Sequence, residues 1–256
     1  MPFAPARTLV TGASSGIGAA FARALAARGS DLVLVARRED RLHALADELR
    51  SQYGVTAEAV PADLSRSSIG PELRERTGSV DMLVNNAGFA THGPLADGDP
   101  ARLEEEIDVD VRALVSLTRA YLPDQIAAGR GAVVNVASTA AFQPVPGMAV
   151  YGAAKAFVRS FTEAVWHEAR PHGVKVLSLS PGSTRTEFFD VVCTTSAAVG
   201  RFQTPEAVVE TGLRALDARR TPPGVVCGRA NATTAAMTRL LPRRMLIDLS
   251  GRLVSA

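Results

Sequence analysis

Short β-branched runs alternate with amphipathic helical runs along almost the whole chain, and this alternation leaves few folds open. "RTLVT" (Arg7–Thr11) precedes a glycine-rich turn and the helical stretch "IGAAFARALAARG". "DLVLVA" (Asp31–Ala36) precedes "EDRLHALADELRSQYG", which ends at Gly54. The apolar runs "TAEAVPAD", "VDMLVNNAG", "GAVVNVAS", "VKVLSLSPG" and "GVVCG" follow, with helical sequence between them. A strand that returns beside its predecessor through a helix must run parallel to it, and right-handed crossovers place helices on both faces. Such strands are buried on both sides and read as continuous apolar runs. The expected fold is therefore α/β: a doubly wound parallel β-sheet of about seven strands in a single domain over residues 1–256.

Composition narrows the function. A net charge of +2 over 256 residues, without a basic run before the C-terminus, argues against nucleic acid as a partner. No stretch approaches the roughly 20 apolar residues of a spanning helix, and "MPFAPARTLVTGASS" has no charged region ahead of a long apolar one, so a cytoplasmic setting is expected. Cys193 and Cys227 make no disulfide framework and read as free thiols, and no metal site is expected. "NAT" at Asn231 matches a glycosylation sequon by chance. The basic residues are nearly all arginine, and the only lysines are Lys155 and Lys175.

Five motifs carry chemistry. "TGASSGIG" (11–18) lies where the first strand turns into the first helix. Gly12, Gly16 and Gly18 permit a tight turn, and Ser14, Ser15 and Ile17 open a helix whose free N–H groups suit a pyrophosphate. An acidic residue at the end of the second strand would select NAD. Here Arg37 and Arg38 stand there, and a guanidinium pairs with a ribose 2′-phosphate. NADP(H) is therefore the preferred cofactor, with NAD(H) possible because Glu39 and Asp40 follow. "NNAG" contributes Asn86, Ala87 and Gly88 at the end of the fourth strand, where ligands of such sheets bind. "YGAAK" puts Tyr151 and Lys155 on one helix face, and Ser138 ends the fifth strand. An ammonium lowers a phenol's pKa, and a serine hydroxyl can hold a carbonyl oxygen as charge develops. "SPGSTRTEF" offers Pro181, Gly182, Thr184 and Thr186 after the sixth strand as cofactor contacts.

In this order and spacing, "TGASSGIG", "NNAG", Ser138, "YGAAK" and "PGSTRT" resemble the short-chain dehydrogenase/reductase family over about residues 7–190. The resemblance implies a three-layer Rossmann fold and NAD(P)-dependent hydride transfer between an alcohol and a carbonyl. It makes Tyr151 the general acid–base, Lys155 its pKa modulator and ribose ligand, and Ser138 the carbonyl-positioning group. Asp63 and Leu64 match the adenine contact. A homodimer or homotetramer is implied, often paired through the helices holding Asp110 and Tyr151.

The departure is Asp110. Ile107, Val111, Leu114, Thr118 and Tyr121 draw an apolar stripe along a helix over 104–121, and Asp110 lies on or beside it. The family commonly has Asn there, in a local kink whose carbonyl holds a water on the lysine. Either the carbonyl at Asp110 keeps that role, or its carboxylate pairs with Lys155 through water. The rival reading is a non-catalytic dinucleotide-binding sensor or scaffold with an altered proton relay. The substrate is expected to be a small hydrophobic carbonyl or alcohol meeting Ser138, Tyr151, His92, Phe142 and Phe188, with Arg185 as the one candidate carboxylate clamp. Residues 185–201 show no period and read as a mobile substrate loop. Residues 233–256 form an amphipathic tail, helical on both sides of Pro242. It is expected to pack on the core or on a partner subunit in preference to a membrane surface.

Overall fold

Strand β1 (Arg7–Thr11) leads into α1 (Gly16–Ala26), β2 (Asp31–Ala36) and α2 (Glu39–Tyr53). β3 (Ala57–Pro61), α3 (Ile69–Thr77) and β4 (Met82–Asn85) follow. The second half holds α4 (Pro100–Ile107), α5 (Leu114–Ala127), β5 (Gly131–Val136), α6 (Ala149–Ala169) and β6 (Val174–Ser180). The C-terminal part holds α7 (Phe188–Val191), α8 (Pro205–Asp217), β7 (Gly224–Val226), α9 (Arg229–Met237) and α10 (Arg243–Ser255). The computed structural model describes residues 2–192 and 200–255.

The seven strands form one parallel sheet in the order β3-β2-β1-β4-β5-β6-β7. The alternation of strand and helix thus becomes the doubly wound sheet it predicts. Successive side chains leave opposite faces. Val10 joins a core with Phe21, Leu25, Leu42 and Leu213 of α1, α2 and α8. Its neighbour Leu9 joins Leu73, Leu117, Tyr121 and Val165 of α3, α5 and α6. Burial on both faces explains why β5 shows no hydrophilic alternation: every residue in it is buried. The strand order reverses between β1 and β4, which opens a crevice at their carboxyl ends.

Three stretches take a more detailed form than the sequence predicts. The helix over 104–121 is not uniform. α4 opens conventionally, with the Asp99 carboxylate accepting from the Ala101 N–H and Pro100 in the first turn. After Ile107 the chain forms a π-helical segment, Asp108–Ala113, before α5 begins. The wider turn shifts the helical phase, so Ile107 lies 47% exposed while Leu114, Thr118 and Tyr121 stay buried. The single apolar stripe is therefore broken at its N-terminal end. Next, the segment 185–201 has local order at its ends: Thr184 and Gln203 form a parallel bridge, and α7 lies between them. Residues 193–199 of that segment, Cys193 among them, lie outside the described residues. Finally, the tail breaks at Pro242 as read, but its first helix starts at Arg229, before the boundary expected at 233.

Gly251 of α10 lies against the Pro146 ring. Asn231 donates to the Cys227 carbonyl at 2.8 Å and so faces inward. Burial pushes the free Cys227 thiol up to about 12, which leaves it inert. No helix among the described residues is long and apolar enough to cross a membrane.

Candidate active site

The crevice is the mouth of a cavity of about 1190 Å³. Its nucleotide half is built by the glycine turn. Gly12 has φ +65°, and a Cβ there would sit 2.7 Å from Asn86 Nδ2. The turn is stitched to "NNAG": Asn86 Nδ2 donates to the Thr11 carbonyl at 3.0 Å, and the Asn86 and Ala87 N–H groups donate to Thr11 Oγ1. Ser15 caps α1 without a side-chain capping bond, which leaves the first N–H groups and the positive helix end for an anion. Gly16 lies against the loop after β6, where its Cβ would be 2.8 Å from Thr186 Cγ2.

Gly12, Ser14, Ser15, Gly16, Ile17, Asp63, Leu64, Asn86, Ala87, Gly88, Pro181, Gly182, Thr184 and Thr186 all line this cavity. Gly18 does not line it. It packs behind the wall, where a Cβ would fall 2.2 Å from the Gly12 carbonyl oxygen. The Ser65 N–H and hydroxyl bind the Asp63 carboxylate and hold its pKa low. Asn85, the first residue of "NNAG", turns inward and donates to Thr118 and Asn135 inside the core.

The two arginines at the end of β2 take different places. Arg37 is 61% exposed and paired with Glu105 at 2.9 Å. Arg38 lies against the glycine turn, donating to Ser14 Oγ at 3.0 Å and Ser15 Oγ at 2.9 Å, and pairs with Glu187 at 2.7 Å. Two glycines whose absent side chains leave backbone room, a free helix N-terminus and a guanidinium beside the turn fit a dinucleotide.

The second half of the cavity holds Ser138, Tyr151 and Lys155. Ser138 stands just beyond β5, its Oγ accepting from the Ala140 N–H at 3.1 Å. Tyr151 and Lys155 project from successive turns of α6, with Lys155 Nζ 5.6 Å from the tyrosine ring centre. The ammonium donates to the Val136 carbonyl at 3.3 Å and pairs with Asp110 Oδ2 at 3.0 Å. Asp110 Oδ1 accepts from the Phe89 N–H at 3.1 Å. The carboxylate therefore touches the lysine directly, in place of the water-bridged pairing that was one of the two expectations for Asp110.

Gly88 makes this contact possible, since a Cβ there would sit 2.6 Å from Asp110 Oδ1 and 3.0 Å from Lys155 Nζ. Burial alone would lower the lysine's pKa, but Asp110, Tyr151 and Glu106 outweigh it and hold the ammonium above its ordinary value. Burial raises Asp110 against the pull of Lys155. Burial also raises the Tyr151 phenol, with the ammonium and the Ser138 hydroxyl drawing it back down.

Two expected substrate contacts do not reach the cavity. His92 is exposed on the loop after β4. Phe142 lies under the Arg159 guanidinium, 4.2 Å from ring centre to Arg159 Cζ, and is not part of the lining. Arg185 is exposed and is not part of the lining either. Phe188 is in place, its ring 5.4 Å from that of Tyr151. The wall continues through Val145, Met148, Phe189 and Phe202.

Sequence reasoning missed two contributors. The tail supplies Met237, Leu241, Leu246 and Leu249 to the wall. Glu106, one turn before Asp110, is fully buried. Its Oε2 accepts from the Thr91 N–H and hydroxyl, while Oε1 has no hydrogen-bond partner among the described residues. Burial raises its pKa. The i,i+4 spacing of Glu106 and Asp110 in "EEEIDVD" was the available signal.

Residues 6–196 match the family model for short chain dehydrogenase. The chain is 42% identical over 184 residues to sulfoacetaldehyde reductase 2 of Chromohalobacter salexigens, covering 70% of this chain and 73% of that protein. Its structure is similar to a short-chain dehydrogenase from Sphingobium yanoikuyae in complex with NADPH, with a TM-score of 0.81, 35% identity and coverage of 91% and 94% of the two chains. It is also similar to a 7beta-hydroxysteroid dehydrogenase, with a TM-score of 0.86, 28% identity and coverage of 95% and 96%. With its glycine turn, doubly wound sheet and Ser138–Tyr151–Lys155 group in the family's order, the chain belongs to the short-chain dehydrogenase/reductase family and is an oxidoreductase of that kind.

Proposed function

We propose that this protein interconverts a hydrophobic alcohol and its carbonyl compound, with NADP(H) as the preferred cofactor. The observation that carries the reading is the convergence of Ser138, Tyr151 and Lys155 beneath an apolar wall. The bound nicotinamide supplies or accepts the hydride. In the reductive direction the Tyr151 phenol gives its proton to the substrate oxygen, which the Ser138 hydroxyl holds as charge develops. The Lys155 ammonium stabilises the phenolate left behind. Asp110 holds that ammonium charged and fixed in place. An intact proton-transfer group favours an enzyme over a non-catalytic sensor, because binding a dinucleotide alone does not require it.

The NADP preference rests on Arg38, with Arg41 close by, and on the NADPH complex of the Sphingobium neighbour. The apolar substrate rests on Val145, Met148, Phe188, Phe189 and the tail. A homodimer or homotetramer is in keeping with the exposed Ile107 and Phe157 on α4 and α6. The deciding experiment screens bulky apolar ketones, alcohols and a small sulfonated aldehyde with NADPH, NADH and their oxidised forms, on wild type and Tyr151→Phe. Turnover of apolar ketones with NADPH, abolished in Tyr151→Phe, is expected. A preference for the sulfonated aldehyde would overturn the substrate reading, and a preference for NADH would overturn the cofactor reading.

A further inference from the structure

The loop after β6 carries a carboxylate that proton transfer does not use. Glu187 stands immediately before α7 and lines the cavity. Its Oε2 lies 2.7 Å from Arg38 Nη1, and its Oε1 lies 2.5 Å from Arg41 Nη1. Arg38 donates at the same time to Ser14 and Ser15 of the glycine turn, and the Ser15 hydroxyl also reaches Glu187. Arg38 caps α2 and Arg41 sits in its first turn, beside Glu39 and Asp40. Two guanidiniums and the Ser15 hydroxyl make an anion site, and the chain fills it with its own anion. The hydrogen bonds from Arg41 and Arg38 hold the Glu187 carboxyl at about 2, so it is charged at any working pH.

We propose that Glu187 is an internal surrogate for the adenosine 2′-phosphate: a dinucleotide carrying that phosphate displaces it from Arg38 and Arg41, and one lacking the phosphate leaves it in place. The proposal rests on the NADP reading above. A phosphate monoester carries nearly two charges and three acceptor oxygens, and it wins two guanidiniums from a single carboxylate. It must first break two ion pairs. Glu187 therefore weakens NADP binding and leaves NAD binding untouched, which makes it a specificity-determining residue. The displacement also reaches the substrate side. The next two residues are Phe188, against the Tyr151 ring, and Phe189, whose ring centre is 5.2 Å from that of Phe202. Freeing Glu187 releases the start of α7, so the aromatic wall over the catalytic tyrosine senses which cofactor is bound.

The test is calorimetric binding of 2′,5′-ADP and of 5′-ADP to wild type and to Glu187→Gln. The side chain is 40% exposed and the replacement keeps its shape, and thermal unfolding checks that the variant folds. Glu187→Gln should bind 2′,5′-ADP roughly threefold to tenfold more tightly, the scale of two part-exposed ion pairs, with 5′-ADP unchanged. Hydrogen exchange over 188–192 should rise when wild type binds 2′,5′-ADP, and should already be raised in the free variant. Equal or weaker 2′,5′-ADP binding by the variant overturns the role of Glu187 and leaves the NADP reading standing. Binding of 5′-ADP without binding of 2′,5′-ADP, in both proteins, overturns the NADP reading and the proposal with it.

Discussion

Asp110 is the residue at which chemistry and stability meet. Its carboxylate is fully buried and has two partners, the Lys155 ammonium and the Phe89 N–H. Removing one member of a buried pair leaves an uncompensated charge, which costs about 3–5 kcal/mol. Asp110→Ala should lose about that much stability by urea unfolding, and Asp110→Asn, which keeps polar atoms near both partners, clearly less. Equal losses would show that the carboxylate charge, which both variants remove, is the whole contribution and that the polar atoms Asn retains add nothing.

Glu106 gives a prediction of the opposite kind. Its folded pKa lies above the ordinary 4.5, so folding favours its protonated form. The stability it contributes is present below that ordinary value and is lost as pH rises through the raised one. Glu106→Gln stays neutral, so its stability relative to wild type should climb between pH 4.5 and neutrality. A difference that stays flat across that range would show that the carboxyl is not perturbed. Both positions stand in "EEEIDVDV", yet the spacing could say only that they share a helical neighbourhood. Which of the three consecutive glutamates is buried depends on what packs against the helix.

At the scale of elements, the site is held by close backbone approaches. α1 enters the sheet tightly enough that Gly18 touches the Gly12 carbonyl, which sets the shape of the turn between them. Gly18→Ala forces backbone to move, and overpacking of this kind costs about 1–3 kcal/mol. Dinucleotide affinity should fall by about tenfold or more by titration calorimetry, with the fold retained. An unchanged affinity would mean that the turn accommodates the methyl group without reshaping. The π-helical segment Asp108–Ala113 is the other element-scale device, because it swings Asp110 inward while Ile107 faces out. The glycine turn was legible because its spacing is local and its residue type is the signal. The π segment was not legible from periodicity, because its residues suit an ordinary helix; the family resemblance, which implies a kink at Asp110, is what pointed to it.

For the molecule as a whole, the C-terminal helices complete the apolar half of a cavity whose other half comes from the glycine turn and the N-terminal strands. A chain ending before Arg243 loses Leu246, Leu249 and Ser250 from the wall. Its KM for a bulky apolar ketone should rise by about tenfold or more, the worth of roughly one buried aliphatic side chain, while calorimetry shows NADPH binding unchanged. A KM that stays the same would remove α10 from the substrate site.

The sequence by itself determined the layering of the sheet, the glycine turn, and the Tyr151–Lys155 pair on one helix face. Each of these is written in the types and spacing of residues a few positions apart, so periodicity and spacing record them. Only the tertiary structure decided which arginine meets the glycine turn, that Asp110 touches Lys155 without a water, that His92 and Phe142 stay outside, and that the tail walls the cavity. Those contacts join segments separated by tens of residues to more than a hundred. Their partners are chosen by which side chains fill the same space and satisfy the same buried charges, and no local pattern encodes that.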